Sequence, residues 1–316
     1  MTAIEAIGGT RPLDAEIFAN RAYSYYKNPR RNPVKEILDS SESYDKTPPF
    51  LGIFNDVPWY KLREDEVISW AKAGFSFIIN DGEHMQWEGY YGREQNAMES
   101  RLGLLPIQRL HREARSAHGD SFQLGALATM RPYSVSLEEV TDYYNSINFP
   151  TPGDPKPESR GAYPVRGGDR EFYFTPKSLR DIETEVQGWV QFETAELIID
   201  ENQRNKALDI MQEQGPNKAC GFVGPFDLIL REGELPNVEK AVENLFIEAA
   251  KRKIHMGRVV GSGSINSPKA IEDAMVRSIE LGVRFISVHY MTTDLVLHGA
   301  MQVAEPFFKA AERCGF

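Results

Sequence analysis

Two short runs, Trp189-Val190-Gln191-Phe192-Glu193 and Ala219-Cys220-Gly221-Phe222-Val223, flank an amphipathic stretch at 202–214, and this unit recurs along the chain. Runs that are apolar nearly throughout belong in a sheet covered on both faces, and helices between them make the strands parallel. Further runs lie at 50–54, 75–79, 104–110, 122–130, 257–260 and 284–289, eight in all. Amphipathic stretches at 63–73, 137–147, 238–253 and 270–281 supply more helices. Thr293 can cap a last one from Asp294 toward Arg313. Eight strand–helix units predict a closed (β/α)8 TIM barrel with an N-terminal extension, not an open sheet.

Two regions stand outside the repeat. Residues 1–48 are polar, carry Tyr23, Tyr25, Tyr26 and the Arg30–Arg31 pair, and read as an arm preceding a barrel at 49–316. Residues 131–188 form a long connection holding Pro150, Pro152, Pro155, Pro157, Gly161, Gly167 and Gly168. A connection of that length is a lid, an oligomer contact or a surface insertion.

Composition narrows the class. The chain has 316 residues, 41% hydrophobic and 26% charged, as an ordinary globular protein does. A formal charge of −10 argues against nucleic acid as a partner, since phosphates need a basic face. No apolar run reaches membrane-spanning length, and the first thirty residues lack a signal-type apolar core. Two cysteines, Cys220 and Cys314, form no disulfide framework. These features predict a cytoplasmic protein.

The chemistry gathers at strand ends. Period-two geometry puts Gln191 and Glu193 on one face of their run and Val190 and Phe192 on the other. The next run continues through Gly224-Pro225-Phe226 to Asp227, delivering a second acid just past a neighbouring strand. In a parallel barrel both would stand at the face where chemistry occurs. Two carboxylates without cysteine or histidine make a hard oxygen site for Mg²⁺ or Mn²⁺; alternatively, each acid caps a helix or pairs with an arginine. The run 75–79 breaks into Asn80-Asp81-Gly82-Glu83-His84, and 104–110 carries Arg109 near its end. An arginine suits an enolate oxygen or a carboxylate, and a histidine moves protons near neutral pH. A structural ion pair for Arg109 and a helix cap for His84 are the competing readings.

Phe77 to His84, Gln191-Phe192-Glu193-Thr194 and Gly224-Pro225-Phe226-Asp227-Leu228 together resemble the signature segments of the HpcH/HpaI aldolase family, metal-dependent pyruvate aldolases with macrophomate synthase among their relatives. The resemblance runs in order from about Gly52 to Pro306. It implies that Glu193 and Asp227 hold a divalent metal (Mg²⁺, with Mn²⁺ or Co²⁺ as alternatives) and that Gln191 lies beside the bound oxoacid. It further implies that Arg109 contacts the ketone oxygen and His84 serves the acid/base site. Phe54 falls where the family often has a pocket tryptophan, and the backbone at Phe226 and Asp227 matches the turn that receives the substrate carboxylate. The implied partners are a 2-oxoacid, an aldehyde-type acceptor and further copies of the chain, commonly in a hexamer. Leu295, Val296, Leu297, Met301 and Val303 would give the last helix a face to bury there.

The chain also departs from the pattern. Some relatives pair the histidine with an aspartate; the matching position offers Gln123, with Asp120 nearby. Phe226 replaces a small residue, Asp227-Leu228-Ile229 replaces Asp-Leu-Ser, and the segment from Glu193 to Asp227 is longer. His289, which reads as a core histidine, and Gly261-Ser262-Gly263-Ser264, which reads as a flexible turn, have no family counterpart. Three functions follow from this reading. They are a pyruvate aldolase, a biosynthetic enzyme that makes its enolate by decarboxylating oxaloacetate, and a barrel that binds a 2-oxoacid without turnover.

Overall fold

The computed structural model describes residues 15–27, 31–55, 63–83, 89–111, 121–122, 125–148, 184–224, 228–230, 236–260, 267–289 and 293–316. Strands β1 (Phe50–Asn55), β2 (Phe77–Asp81), β3 (Leu105–Arg109), β4 (Ala128–Arg131), β5 (Gln187–Phe192), β6 (Ala219–Val223), β7 (His255–Val259) and β8 (Val283–His289) pair in parallel in chain order. β1 closes on β8, completing the barrel expected from the repeat.

Helices α1 (Ala15–Lys27) and α2 (Pro33–Ser40) precede β1, and α3 (Glu64–Lys72) joins β1 to β2. After β2 come α4 (Gly89–Arg101), α5 (Leu137–Ile147), α6 (Ala195–Ile198) and α7 (Glu201–Glu213). α8 (Pro236–Lys251), α9 (Pro268–Glu280) and α10 (Thr293–Arg313) are the last helices of the outer layer among the described residues. α10 is broken at Gly299, whose φ of 77° and ψ of 161° interrupt the helical backbone.

Alternation along each strand divides the core in two. Phe54, Ile79, Ile107, Met130, Trp189, Phe222 and Phe285 fill the barrel interior. Ile53, Ile78, Val190, Phe192 and Ile286 face outward with Val67, Trp70, Leu208, Met211, Leu245 and Phe246 of the surrounding helices. The interior is aromatic, with Trp189 and Phe50 at 4.5 and 5.2 Å from the Phe285 ring.

The structure differs from the sequence reading in three places. The fourth strand is four residues, not nine, because Gly125 turns the chain at φ +90° before it. Within 131–188 the helix expected at 137–147 forms as α5, but β5 begins at Gln187, before that connection was expected to end, while 149–183 lie outside the described residues. α4 was not expected, because its sequence lacks a clear apolar stripe.

Helix α2, from the expected arm, packs under the barrel. Asn32 caps it through Lys35 N at 2.9 Å, and Pro33 supplies the fixed φ of a first helical position. Val34, Ile37 and Leu38 join the interior cluster and close the end where the strands begin. Beside them Asn32 Nδ2 donates to Gln187 Oε1 at 3.3 Å, and Gln187 Nε2 donates to Asn217 O at 2.8 Å. His255 stacks on Tyr44 at 4.7 Å; burial, and secondarily the charge of Arg284, push its pKa down to about 3. That imidazole is a neutral packing group. Among the described residues no helix is long and apolar enough to cross a membrane.

Candidate active site

The register sets which side chains meet where the strands end. β2 and β3 place Asp81 opposite Arg109, and β8 and β1 place His289 opposite Phe54. Inward parity on β5 carries Gln191, and Glu193 follows just past the strand. Arg109, Gln191, Glu193 and Phe54 therefore gather at one mouth.

Arg109 is the centre of the cluster. Its Nε donates to Asp81 Oδ1 at 2.8 Å and its Nη2 to Asp81 Oδ2 at 2.6 Å, a two-pronged clamp. Nη1 lies 2.9 Å from Glu83 Oε2 and 3.9 Å from Glu193 Oε1. The Glu83 amide donates to Asp81 Oδ1 at 2.9 Å, tying the turn after β2 to the same carboxylate. Beneath the guanidinium lies the Phe54 ring, 4.7 Å from Cζ, a cation–π contact. Burial opposes the charge on Arg109, but Asp81, then Glu83 and Glu193, raise its pKa above the ordinary value.

Glu193 is held from three sides. Gln191 Nε2 donates to its Oε1, and the Tyr133 amide donates to Oε2 at 3.1 Å. Tyr133 has a φ of 53°, a region that non-glycine residues adopt at a cost and that recurs at functional sites. Thr194 Oγ1 donates to Ser134 O at 2.8 Å, stitching the loop after β4 to the end of β5. From β6, Gly224 comes so close that a Cβ there would sit 2.3 Å from Glu193 Oε1 and 2.6 Å from Gln191 Nε2. Any larger residue there would displace the Glu193 and Gln191 side chains.

The oxygen donors at this mouth, Glu193 and Gln191 Oε1, are of the hard type that suits a divalent cation. Among the described residues three carboxyl groups, Asp81, Glu83 and Glu193, lie around the Arg109 guanidinium in a largely buried place. Gln191 Oε1 is buried without a hydrogen-bond partner among the described residues, an oxygen that awaits an electropositive neighbour. Asp227, the expected second ligand, lies outside the described residues, and among these no cluster of three or more metal-type side chains forms.

Behind β2 is a buried polar network. Asn80 points outward and donates through Nδ2 to Glu99 Oε2 at 3.0 Å and Oε1 at 3.2 Å, while Gln95 Nε2 donates to Glu99 Oε1 at 2.7 Å. Asn55 Nδ2 reaches Asn80 Oδ1 at 3.4 Å. Burial raises the Glu99 pKa to about 8 against the opposing hydrogen bonds of Gln95 and Asn80. The network fastens α4 to the residue before the clamp.

Of the residues expected from sequence, His84, Phe226, Asp227, Asp120, Gln123 and 261–264 lie outside the described residues. Sequence reasoning passed over Asp81, Glu83, Tyr133 and Gly224 as site residues. For Asp81 the signal was available: it continues the inward parity of Phe77 and Ile79 into the mouth. His289 is not a core histidine: it is half-buried at the mouth, its ring 5.3 Å from that of Phe54.

Compared by sequence, the chain matches no protein-family model and no curated protein. Its fold, however, is similar to that of many solved structures. One is an HpcH/HpaI aldolase from Desulfitobacterium hafniense DCB-2, at 18% identity, TM-score 0.62, and 81% and 92% coverage of this chain and that one. Another is an HpcH/HpaI aldolase/citrate lyase family protein from Burkholderia cenocepacia J2315, at 20% identity, TM-score 0.61, and coverage of 84% and 95%. Macrophomate synthase matches at 16% identity, TM-score 0.55, and coverage of 86% and 88%. The resemblance first seen in three sequence segments thus extends to the whole barrel, whose fold is that of the HpcH/HpaI aldolases.

Proposed function

We propose that this barrel is a divalent-metal-dependent carbon–carbon lyase, an aldolase that acts through the enolate of pyruvate or oxaloacetate with an aldehyde-type partner. The observation that carries the reading is the Asp81–Arg109 clamp set beside Glu193 and Gln191 at the mouth of an HpcH/HpaI-type barrel. Glu193 and Asp227 would hold the cation, Mg²⁺ in the first instance, with the Gln191 amide oxygen beside it. When bound, the cation supplies Lewis acidity to a 2-oxoacid's oxygens.

The protein's own groups do the rest. Arg109, kept cationic and immobile by its carboxylate partners, offers positive charge where the enolate oxygen develops. Phe54 keeps water from one side of that charge and so strengthens it. His84 exchanges the proton with the oxygen of the departing or incoming carbonyl. By the family resemblance, the backbone at Phe226 and Asp227 would receive the substrate carboxylate. The sharpest test follows deuterium uptake into pyruvate C3 with and without added metal. Metal-dependent uptake supports the enolate, and none at any metal concentration overturns it.

The fold shared with macrophomate synthase supports a second reading, in which the same enolate is made by decarboxylating oxaloacetate and then forms a bond. Metal-dependent CO₂ release from oxaloacetate without pyruvate release from 4-hydroxy-2-oxoacids would favour it. The protein works, in either case, as a homo-oligomer, a hexamer by resemblance, in the cytoplasm. A monomer in sedimentation at working concentration contradicts that assembly.

A further inference from the structure

The mouth has a wall that the enolate chemistry leaves unused. Asp81, Glu83, Arg109 and Glu193 come from β2, β3 and β5 and the residues just after them. Across the mouth, β8 turns two polar side chains inward in succession, Ser287 and then His289, which register with Gly52 and Phe54 of β1. Ser287 Oγ is fully buried and has no hydrogen-bond partner among the described residues. His289 is half-buried at the rim.

Phe54 connects the two sides. Its ring lies 4.7 Å from Arg109 Cζ and 5.3 Å from the His289 ring, so guanidinium and imidazole are within about 10 Å of each other across one apolar surface. Phe54 itself is buried, so a short substrate whose oxoacid end is held at Arg109 and Glu193 would direct its other half along the rim above Phe54, toward half-buried His289 of β8. Phe54 offers that half no hydrogen bond. The imidazole does, since one ring nitrogen carries a proton in either neutral tautomer.

Resting on the aldolase reading above, we propose that His289 is the specificity-determining residue for the acceptor half. It donates a hydrogen bond to an oxygen on the carbon next to the aldehyde, so that the pocket selects acceptors bearing a carboxylate or hydroxyl there over alkyl aldehydes. A hydrogen bond of this kind is worth about 10- to 100-fold in selectivity when the acceptor is ionised, and less when it is neutral.

The test measures condensation with pyruvate and Mg²⁺ for two matched acceptor pairs, glyoxylate against acetaldehyde and glycolaldehyde against propionaldehyde. His289→Leu removes the donor and His289→Gln keeps one. The expected result is that His289→Leu lowers the kcat/KM ratio of at least one pair, by about 10-fold or more for a carboxylate and about 3-fold or more for a hydroxyl, chiefly through KM, and that His289→Gln restores much of it. A change in the first pair alone assigns a carboxylate, and in the second alone a hydroxyl. Equal losses for both members of each pair, or no loss, overturn the proposal while wild-type turnover leaves the aldolase reading standing. Wild-type C3 exchange without condensation of any of the four acceptors overturns the proposal and spares the enolate. Neither exchange nor condensation in the wild type sinks both.

Discussion

Asp81 grips Arg109 with both carboxylate oxygens, at 2.8 and 2.6 Å, across adjacent strands and almost out of contact with water. The clamp fixes the guanidinium plane and leaves Nη1 directed at Glu83 and Glu193. Asp81→Asn keeps the shape but loses the charge and one of the two hydrogen bonds. Pyruvate C3 exchange should fall about 10- to 100-fold, the size of one charged hydrogen bond lost from a buried pair. Exchange at the wild-type rate in a folded Asp81→Asn protein would show that Arg109 needs no holding.

Arg109 and His84 should fail differently. Arg109→Ala should depress every enolate-dependent step, exchange and oxaloacetate decarboxylation alike, by about 10²–10³. His84→Ala should impair aldol cleavage more than decarboxylation, because loss of CO₂ needs no base on an acceptor hydroxyl. Equal damage to both reactions in His84→Ala contradicts an acceptor-side role for that histidine.

Metal dependence should follow the carboxylates. Excess chelator should abolish activity, and Mg²⁺, Mn²⁺ or Co²⁺ should restore it. Glu193→Gln and Asp227→Asn should lose metal binding by calorimetry while circular dichroism stays native, since this end of the barrel serves chemistry more than stability. Gly224→Ala should do the same without altering any donor, because its Cβ would fall 2.3 Å from Glu193 Oε1. Full activity under chelation refutes the metal.

Stability should decline with pH on account of Glu99. Its folded pKa of about 8 lies above the ordinary carboxyl value of 4.5, so the folded state binds the proton more tightly than the unfolded chain. The contribution is complete below about 4.5 and is lost as pH rises through about 8, a change on the order of several kcal/mol. Denaturant melts at pH 5 and 8.5 on wild type and Glu99→Gln should show the slope shrinking in the variant. An unchanged slope would mean that other groups set it.

The barrel was legible in the sequence because strands buried on both faces leave apolar runs of limited length, each followed by a helical stretch. Gln191 and Glu193 were legible for a related reason: polar side chains are rare in such runs, and period two assigns their face. Asp81 was passed over because the apolar run stops at Ile79, although the strand continues two residues to the clamp. Helix α4 carries Gln95, Asn96 and Glu99 on its buried side, so its inner face looks like a solvated one until Asn80 is seen opposite. No local pattern marks α2 as part of the barrel; its contacts are with residues distant in the chain.

That helix has a consequence for traffic. With Val34, Ile37 and Leu38 across one end and aromatic rings stacked through the middle, the barrel is a blind cup, not a tunnel. Among the described residues that leaves the other end as the way in and out for a small molecule. On the aldolase reading proposed above, a molecule bound deepest, against Glu193 and Arg109, would arrive before its partner and depart after it. An ordered reaction of that kind would trace to a helix at the opposite end from the proposed site.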